Sequence, residues 1–197
     1  TVNPGPIAVA TPASQTFCSG GTTNIALTST TPGTTFNWTV TQSGVTGASN
    51  GSGNTIAQTL TTTGPTPGTA TYTITPTANG CVGSPITVVI TVNPTPVAVA
   101  TPASQTFCSG GTTNIALTST TPGTTFNWTV VQSGVTGASN GSGNTIAQTL
   151  TTTGPTPGTA TYTITPTANG CVGSPITVVI TVNPGPIAVA TPASQTF

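Results

Sequence analysis

Four cysteines and two tyrosines are the side chains that titrate in this chain, because it contains no Asp, Glu, Lys, Arg or His. General acid–base catalysis needs a group that titrates near the working pH, and a serine nucleophile needs a neighbouring base. We therefore expect no catalytic residue and no enzyme activity. Calcium sites built from carboxylates and phosphate contacts from Lys or Arg are excluded too. We expect no metal site, no cofactor and no nucleic-acid partner.

The cysteines follow a period that runs through the whole chain. Cys18 and Cys81 recur 90 residues later as Cys108 and Cys171. A period of this length is too long for one coil of a solenoid, about 20–45 residues, and fits a domain, about 50–250 residues. When residues 1–107 are shifted onto 91–197 there are five mismatches, namely Gly5/Thr95, Ile7/Val97, Thr41/Val131, Thr95/Gly185 and Val97/Ile187.

Disulfides are the chemistry that the cysteines predict. Pairing within each repeat, Cys18 with Cys81 and Cys108 with Cys171, is expected because it lets each repeat fold alone. Four cysteines allow three connectivities, and buried thiols are an alternative, whereas a zinc site lacks the CxxC spacing and the His. Closing such a loop contributes on the order of 4 kcal/mol. Disulfides also indicate an extracellular setting.

Alternating apolar residues predict the strands that position these groups. In the first repeat the alternation includes Ile7 and Val9, then Ile25 and Leu27, then Ile56 and Leu60, and at the end Ile86 to Val92. The aromatic residues belong to the same pattern, so we expect core packing for them in preference to a sugar-stacking platform. The predicted aromatic core is Phe36, Trp38 and Tyr72 in the first repeat and Phe126, Trp128 and Tyr162 in the second.

Short strands separated by Gly- and Pro-rich turns predict an all-β fold. Six or seven strands in about 90 residues are typical of an antiparallel β-sandwich. The predicted domains are 1–92 and 93–182, followed by the opening strand of a truncated third repeat at 183–197. The linker residues Asn93, Pro94, Thr95 and Pro96 contain two prolines, which favour an extended, semi-rigid connection. We expect tandem immunoglobulin-like sandwiches in an elongated array.

Four motifs resemble a known family. They are the segments ATPASQTFCSG at 10–20, FNWTV at 36–40, TYTITPTANGC at 71–81 and TVNP at 91–94. Together they resemble the PKD-like repeats of giant cell-surface adhesins of Bacteroidetes, among them the gliding-motility adhesin of flavobacteria. The resemblance covers the whole period in both copies. It implies type IX secretion, display on the cell surface and a role in adhesion or gliding, and it carries over no catalytic residues.

The expected function is that of a structural repeat, a stalk or spacer in a large extracellular adhesin or filament at the cell surface. Neighbouring identical repeats are the expected partners. Zero net charge favours association, so lateral self-association into fibres is expected as well. The chain has no apolar run near 18 residues, so we expect no direct membrane insertion.

Three alternatives to the stalk remain open. The Thr-rich faces could bind surface glycans or other surfaces. The repeats could be passive spacers in a secreted multidomain enzyme, or the segment 182–197 could be donated to a neighbouring chain. Whichever holds, the missing charge predicts a stability that is nearly flat from about pH 3 to 9, since no group links protonation to folding there.

Overall fold

The computed structural model describes residues 5–186 and residue 188, and the regular structure of these residues is β-strand. The predicted opening strand of a third repeat spans 183–197. Beyond Pro186 this segment lies outside the described residues, with the exception of Ala188. The strands of the first repeat are β1 (Val9–Thr11), β2 (Ser14–Cys18), β3 (Ile25–Thr28), β4 (Thr35–Ser43), β5 (Val45–Thr46), β6 (Gly51–Ser52), β7 (Thr55–Ile56), β8 (Thr61–Thr62), β9 (Gly68–Ala78), β10 (Cys81–Val82) and β11 (Ile86–Asn93).

The second repeat folds in the same way and adds one short strand. Its strands are β12 (Val99–Thr101), β13 (Ser104–Cys108), β14 (Gly111–Thr112), β15 (Ile115–Thr118), β16 (Thr125–Ser133), β17 (Val135–Thr136), β18 (Gly141–Ser142), β19 (Thr145–Ile146), β20 (Thr149–Thr152), β21 (Gly158–Ala168), β22 (Cys171–Val172) and β23 (Ile176–Asn183).

Each repeat pairs its strands into two main sheets. In the first repeat one sheet has the order β1-β3-β7, and the larger sheet has the order β2-β11-β9-β4-β6, with β10 paired to β9. Neighbours in the larger sheet are antiparallel except for β2, which runs parallel to β11. The second repeat repeats both orders with β12-β15-β19 and β13-β23-β21-β16-β18. The all-β sandwich expected from the sequence is thus confirmed.

By contact, the chain divides into two compact units whose bounds differ from the sequence repeats. Among the described residues, unit 1 holds those up to Pro96 together with two short segments, Thr120–Thr124 and Thr167–Val172, and unit 2 holds the others. The second of these short segments carries Cys171. Part of the second period therefore folds with unit 1.

The long strand β9 forms the centre of the core of unit 1. Alternate residues of β9 are buried, and Ala70, Tyr72 and Ile74 are fully enclosed. Because side chains alternate across a strand, the Thr residues between them face the other side of the sheet. The other members of this core cluster are Ala8, Ile25, Leu27, Phe36, Trp38, Val45, Ile56, Leu60, Val88, Ile90 and Val92. The matching residues form the core of unit 2.

The segment 7–10, which leads into β1, buries the face opposite to the one with the larger side chains. Ile7 is 70% exposed and Val9 is 50% exposed, while Ala8 is 6% exposed. The two β-branched residues share a face, as the alternation indicates, and that face is turned to solvent. Ala8 and Ala10 pack against the core in their place.

Close packing against Trp38 explains why residue 51 is a glycine. The backbone of Gly51 pairs with that of Trp38, and a Cβ at residue 51 would lie 2.7 Å from the Cζ2 atom of the indole. Real carbon atoms do not approach so closely, so a larger residue must displace the ring. Gly141 and Trp128 repeat the arrangement.

We predict that Gly51→Ala destabilises the protein by about 1–3 kcal/mol, the usual cost of overpacking a core. Gly64 is the matched control, because a Cβ there meets nothing within 4 Å. Gly64→Ala should be neutral or stabilise by up to about 1 kcal/mol. Urea unfolding of both variants measures the difference, and equal effects of the two substitutions would refute the packing argument.

Candidate functional site

The aromatic residues predicted for the core are buried in both repeats, which confirms that part of the sequence analysis. Trp38 is 7% exposed, and its Nε1 donates a hydrogen bond to the carbonyl oxygen of Ser49 at 3.2 Å. The indole is thus buried, and its polar edge is hydrogen-bonded within the fold. A sugar cannot stack on this ring, and the same holds for Trp128, which binds Ser139 in the same way.

A neutral hydrogen-bond network connects the aromatic core to a loop, and the sequence pattern did not reveal it. The Tyr72 hydroxyl donates to Oε1 of Gln58 at 2.7 Å. The amide of Gln58 also binds Ser49, accepting from its backbone N at 3.0 Å and donating to its carbonyl oxygen at 2.9 Å. Thr23, which is 1% exposed, accepts from the backbone N of Gln58 at 2.8 Å. A lone Gln between Ala and Thr carries no periodic signal that would identify it.

Burial changes the acidity of the two tyrosines. Removal from water disfavours the phenolate, and this desolvation raises the pKa of Tyr72 and of Tyr162 to about 12. Both hydroxyls therefore remain protonated donors throughout the physiological range. They serve as fixed hydrogen-bond donors in the core.

The disulfide differs from the expected pairing. Cys18 is bonded to Cys171, with Cα atoms 5.6 Å apart, so the predicted pairs Cys18–Cys81 and Cys108–Cys171 are wrong in this structure. Cys108 is exposed and forms no disulfide. The observed disulfide therefore joins the first period to the segment Thr167–Val172 within unit 1.

The length of β9 is the physical reason why the cysteines of one repeat do not pair. Cys18 lies opposite Asn93 on β11, level with the Gly68 end of β9, whereas Cys81 lies opposite Ala78 at its other end. These 11 residues span about 30 Å at the usual strand rise. A disulfide needs Cα atoms within about 7 Å of each other.

The residues around the disulfide include the predicted linker. The side chain of Asn93 donates from Nδ2 to the carbonyl oxygen of Asn169 at 2.9 Å, and its carbonyl oxygen lies 3.9 Å from Sγ of Cys171. Asn93 ends β11, while Pro94 and Pro96 are buried and Thr95 is exposed. Asn93, the first linker residue, thus belongs to the same contact region as the bond. Their stiffness stays a prediction.

A face rich in threonine covers the outside of the larger sheet. Adjacent strands place side chains about 4.8 Å apart, and alternate residues of one strand lie about 6.8 Å apart. This "threonine face" of unit 1 consists of Thr35, Asn37, Thr39, Thr41 and Ser43 on β4, of Thr69, Thr71, Thr73, Thr75 and Thr77 on β9, and of Thr87, Val89 and Thr91 on β11. The residues of β4 are exposed and those of β9 are half-buried. The face offers an ordered layer of neutral hydroxyls.

The described part of the chain, residues 5–186 and 188, brings no three His, Cys, Asp or Glu side chains together. Within the same residues no helix has the length and hydropathy of a membrane span.

The repeated β-sandwich fold agrees with the family comparison. A sequence model of the PKD-like domain family matches residues 15–96 and again residues 105–186. The chain belongs to the PKD-like domain family and contains two tandem copies of the domain. No curated protein matches the chain.

Several solved structures are similar to this chain at low sequence identity. The Escherichia coli adhesin FdeC is 18% identical with a TM-score of 0.44, and the alignment covers 90% of this chain and 63% of that one. Mouse cadherin-23 repeats EC22–24 are 11% identical with a TM-score of 0.45, at 91% and 67% coverage. The fibronectin(III)-like modules of Clostridium thermocellum CbhA are 14% identical with a TM-score of 0.34, at 90% and 95% coverage.

We predict that stability is nearly constant from about pH 3 to 9 and falls between about pH 10 and 12. The pKa of each tyrosine is raised from 10.0 to about 12 on folding, so the unfolded chain loses these protons first. The stability they contribute is complete below pH 10 and is lost as the pH rises to 12.

Thermal unfolding followed by circular dichroism measures this profile. The double variant Tyr72→Phe with Tyr162→Phe is the control, because it keeps both rings and removes both titrating hydroxyls. Its melting temperature should fall less between pH 10 and 12. An identical fall in the variant, or a strong change between pH 3 and 9, contradicts the assignment.

Proposed function

We propose that this chain is a structural stalk or spacer of a large extracellular adhesin or filament, displayed at the cell surface. The closer parentage that the sequence motifs imply, a giant adhesin of Bacteroidetes exported by type IX secretion and used in adhesion or gliding, belongs to the same proposal. Its partners are neighbouring copies of the repeat, and lateral association into fibres is part of it. The proposal includes the absence of enzyme activity.

The observation that carries the proposal is that both copies use the same internal contacts. The Trp–Ser bond recurs at 3.2 Å and the Tyr–Gln bond at 2.7 Å in each repeat. Side chains that differ between the copies lie outside this network, and Val131, which replaces Thr41, is 73% exposed. Specific binding depends on the side chains of one particular surface, whereas a spacer depends only on a fold that can be repeated.

The polar groups of the repeat also suit an exposed fibre. Every buried side-chain nitrogen or oxygen of the described residues has a hydrogen-bond partner, and these partners are neutral groups. Neutral hydrogen bonds keep their strength when salt or pH changes, in contrast to exposed ion pairs, which salt screens. The fold therefore keeps its internal bonds over a wide range of external conditions.

A second candidate function is direct binding of glycans or other surfaces, and the threonine face favours it. Its hydroxyls both donate and accept hydrogen bonds, as do the hydroxyls of a sugar. The exposed row on β4 is the accessible part, with Thr39 directly opposite Thr73 and Thr41 opposite Thr71. The replacement of Thr41 by Val131 interrupts that row in the second repeat, which weakens this candidate relative to the spacer.

We predict that two unrelated immunoglobulin-like domains of equal length can replace residues 1–182 in the protein that carries them without loss of attachment. Deletion of the same residues should shorten the surface fibres, and electron cryo-tomography measures their length. The physical reason is that a spacer contributes length, which the replacement retains.

Loss of attachment in the replaced protein, with the fibre length kept, would overturn the spacer proposal and support direct binding. A glycan array probed with the 197-residue chain gives the independent control. The spacer proposal expects no specific signal, whereas specific micromolar binding that Thr39→Val abolishes supports the second candidate.

A further inference from the structure

Cys108 has the same partners within its repeat as Cys18, but it forms no disulfide. In each repeat this cysteine ends a strand and lies opposite an asparagine, Asn93 for Cys18 and Asn183 for Cys108. The residue that follows it donates its backbone N–H to that asparagine, at 2.8 Å in the first repeat and 2.7 Å in the second. Yet Cys18 is bonded to Cys171, and Cys108 is exposed as a thiol.

The prolines beside the two cysteines show the same contrast. Pro94 and Pro96, which follow Asn93, are buried. Pro184 is half-buried and Pro186 is exposed, although they occupy the equivalent positions of the period. Identical residues in identical strands thus differ in burial. The surface that is covered in unit 1 is open in unit 2.

An open cavity marks this surface in unit 2. It has a volume of about 610 Å³ and is lined by Thr152, Gly154, Pro155, Pro184, Gly185 and Pro186. Hydrogen bonds connect Ser109, the residue after Cys108, to the lining of this cavity. The backbone N of Thr152 donates to Oγ of Ser109 at 2.9 Å, and the backbone N of Ser109 donates to the carbonyl oxygen of Asn183, directly before Pro184.

Unit 1 shows what fits such a surface. Its matching end includes the hairpin turn of the segment Thr167–Val172, where Asn169 accepts the hydrogen bond from Asn93 and Cys171 forms the disulfide. The hairpin cysteine is 1% exposed. The turn itself is an Asn–Gly pair with positive φ at both residues, 50° at Asn169 and 78° at Gly170, which is the geometry of a tight two-residue hairpin.

We propose that the surface around Cys108, Pro184 and Pro186 is a docking surface for the Asn–Gly–Cys hairpin of a further copy of the repeat. Cys108 forms a disulfide with the cysteine of that hairpin. In an array, each repeat is then joined to the next by the peptide linker and by a second covalent bond. This inference goes beyond the proposed spacer function and does not depend on it.

The bond forms by thiol–disulfide exchange with a disulfide donor of the oxidising compartment. The Cys108 thiolate attacks one donor sulfur, which forms a mixed disulfide and releases one donor thiol. The hairpin thiolate then attacks the Cys108 sulfur and releases the second donor thiol. The two cysteine thiols lose two protons and two electrons in total, and the donor disulfide takes them up.

The test extends the full chain by one repeat in phase, with the sequence of residues 108–197 appended after Phe197. A Ser→Thr change at the appended position that corresponds to Ser174, which is exposed, gives the new hairpin peptide its own mass. The chain is refolded with oxidised and reduced glutathione, alkylated and cleaved after aromatic residues. We call the peptide with this Ser→Thr change the tagged peptide. We expect it to be disulfide-bonded in the extended chain and fully alkylated in the Cys108→Ser variant. The Cys171 peptide should stay disulfide-bonded in that variant.

The matched control is Cys18→Ser, in which the Cys171 peptide should become alkylated while the tagged peptide stays bonded. Circular dichroism of both variants checks that they fold. The proposal is overturned if the tagged peptide stays bonded in Cys108→Ser. It is also overturned if that variant releases Cys171 instead, because this result shows pairing within the repeat.

Discussion

The extended length of β9 is the constraint on which the rest of each repeat depends. One side of this strand supplies Ala70, Tyr72 and Ile74 to the core, and the other side supplies the central row of the threonine face. Its hydrogen bonds to β4 and β11 hold the larger sheet together. Its two ends also separate Cys18 from Cys81, so the same strand that builds the domain prevents the domain from closing its own disulfide.

The core is stabilised without any charged group. Large apolar side chains such as Tyr72 and Ile74 are fully buried, and burial of each contributes about 1.5–3 kcal/mol. The polar atoms that accompany them are paired by amides and hydroxyls, as Gln58 shows for Tyr72. Such bonds do not depend on the charge state of a carboxylate or an amine. A repeat built in this way can be copied many times without accumulating net charge.

The sequence pattern predicted the core because alternation in a strand is a local property. Phe36, Trp38 and Tyr72 could be placed from their apolar neighbours two residues away. The disulfide could not be placed, because it depends on β2 running parallel to β11, a pairing between strands more than 70 residues apart. Gln58 and Ala8 were missed for a related reason, since the role of each is set by what packs against it and not by its own hydropathy.

The most direct test of this account is the extension of single 197-residue chains pulled from both ends, before and after reduction. The Cys18–Cys171 bond has a sequence separation of 153 residues, so reduction should add about 520 Å of extended chain. Bonds within each repeat would instead close two loops, 18–81 and 108–171, and reduction would add about 430 Å. The shorter value, or no change on reduction, would contradict the conclusion that the length of β9 prevents a disulfide within one repeat.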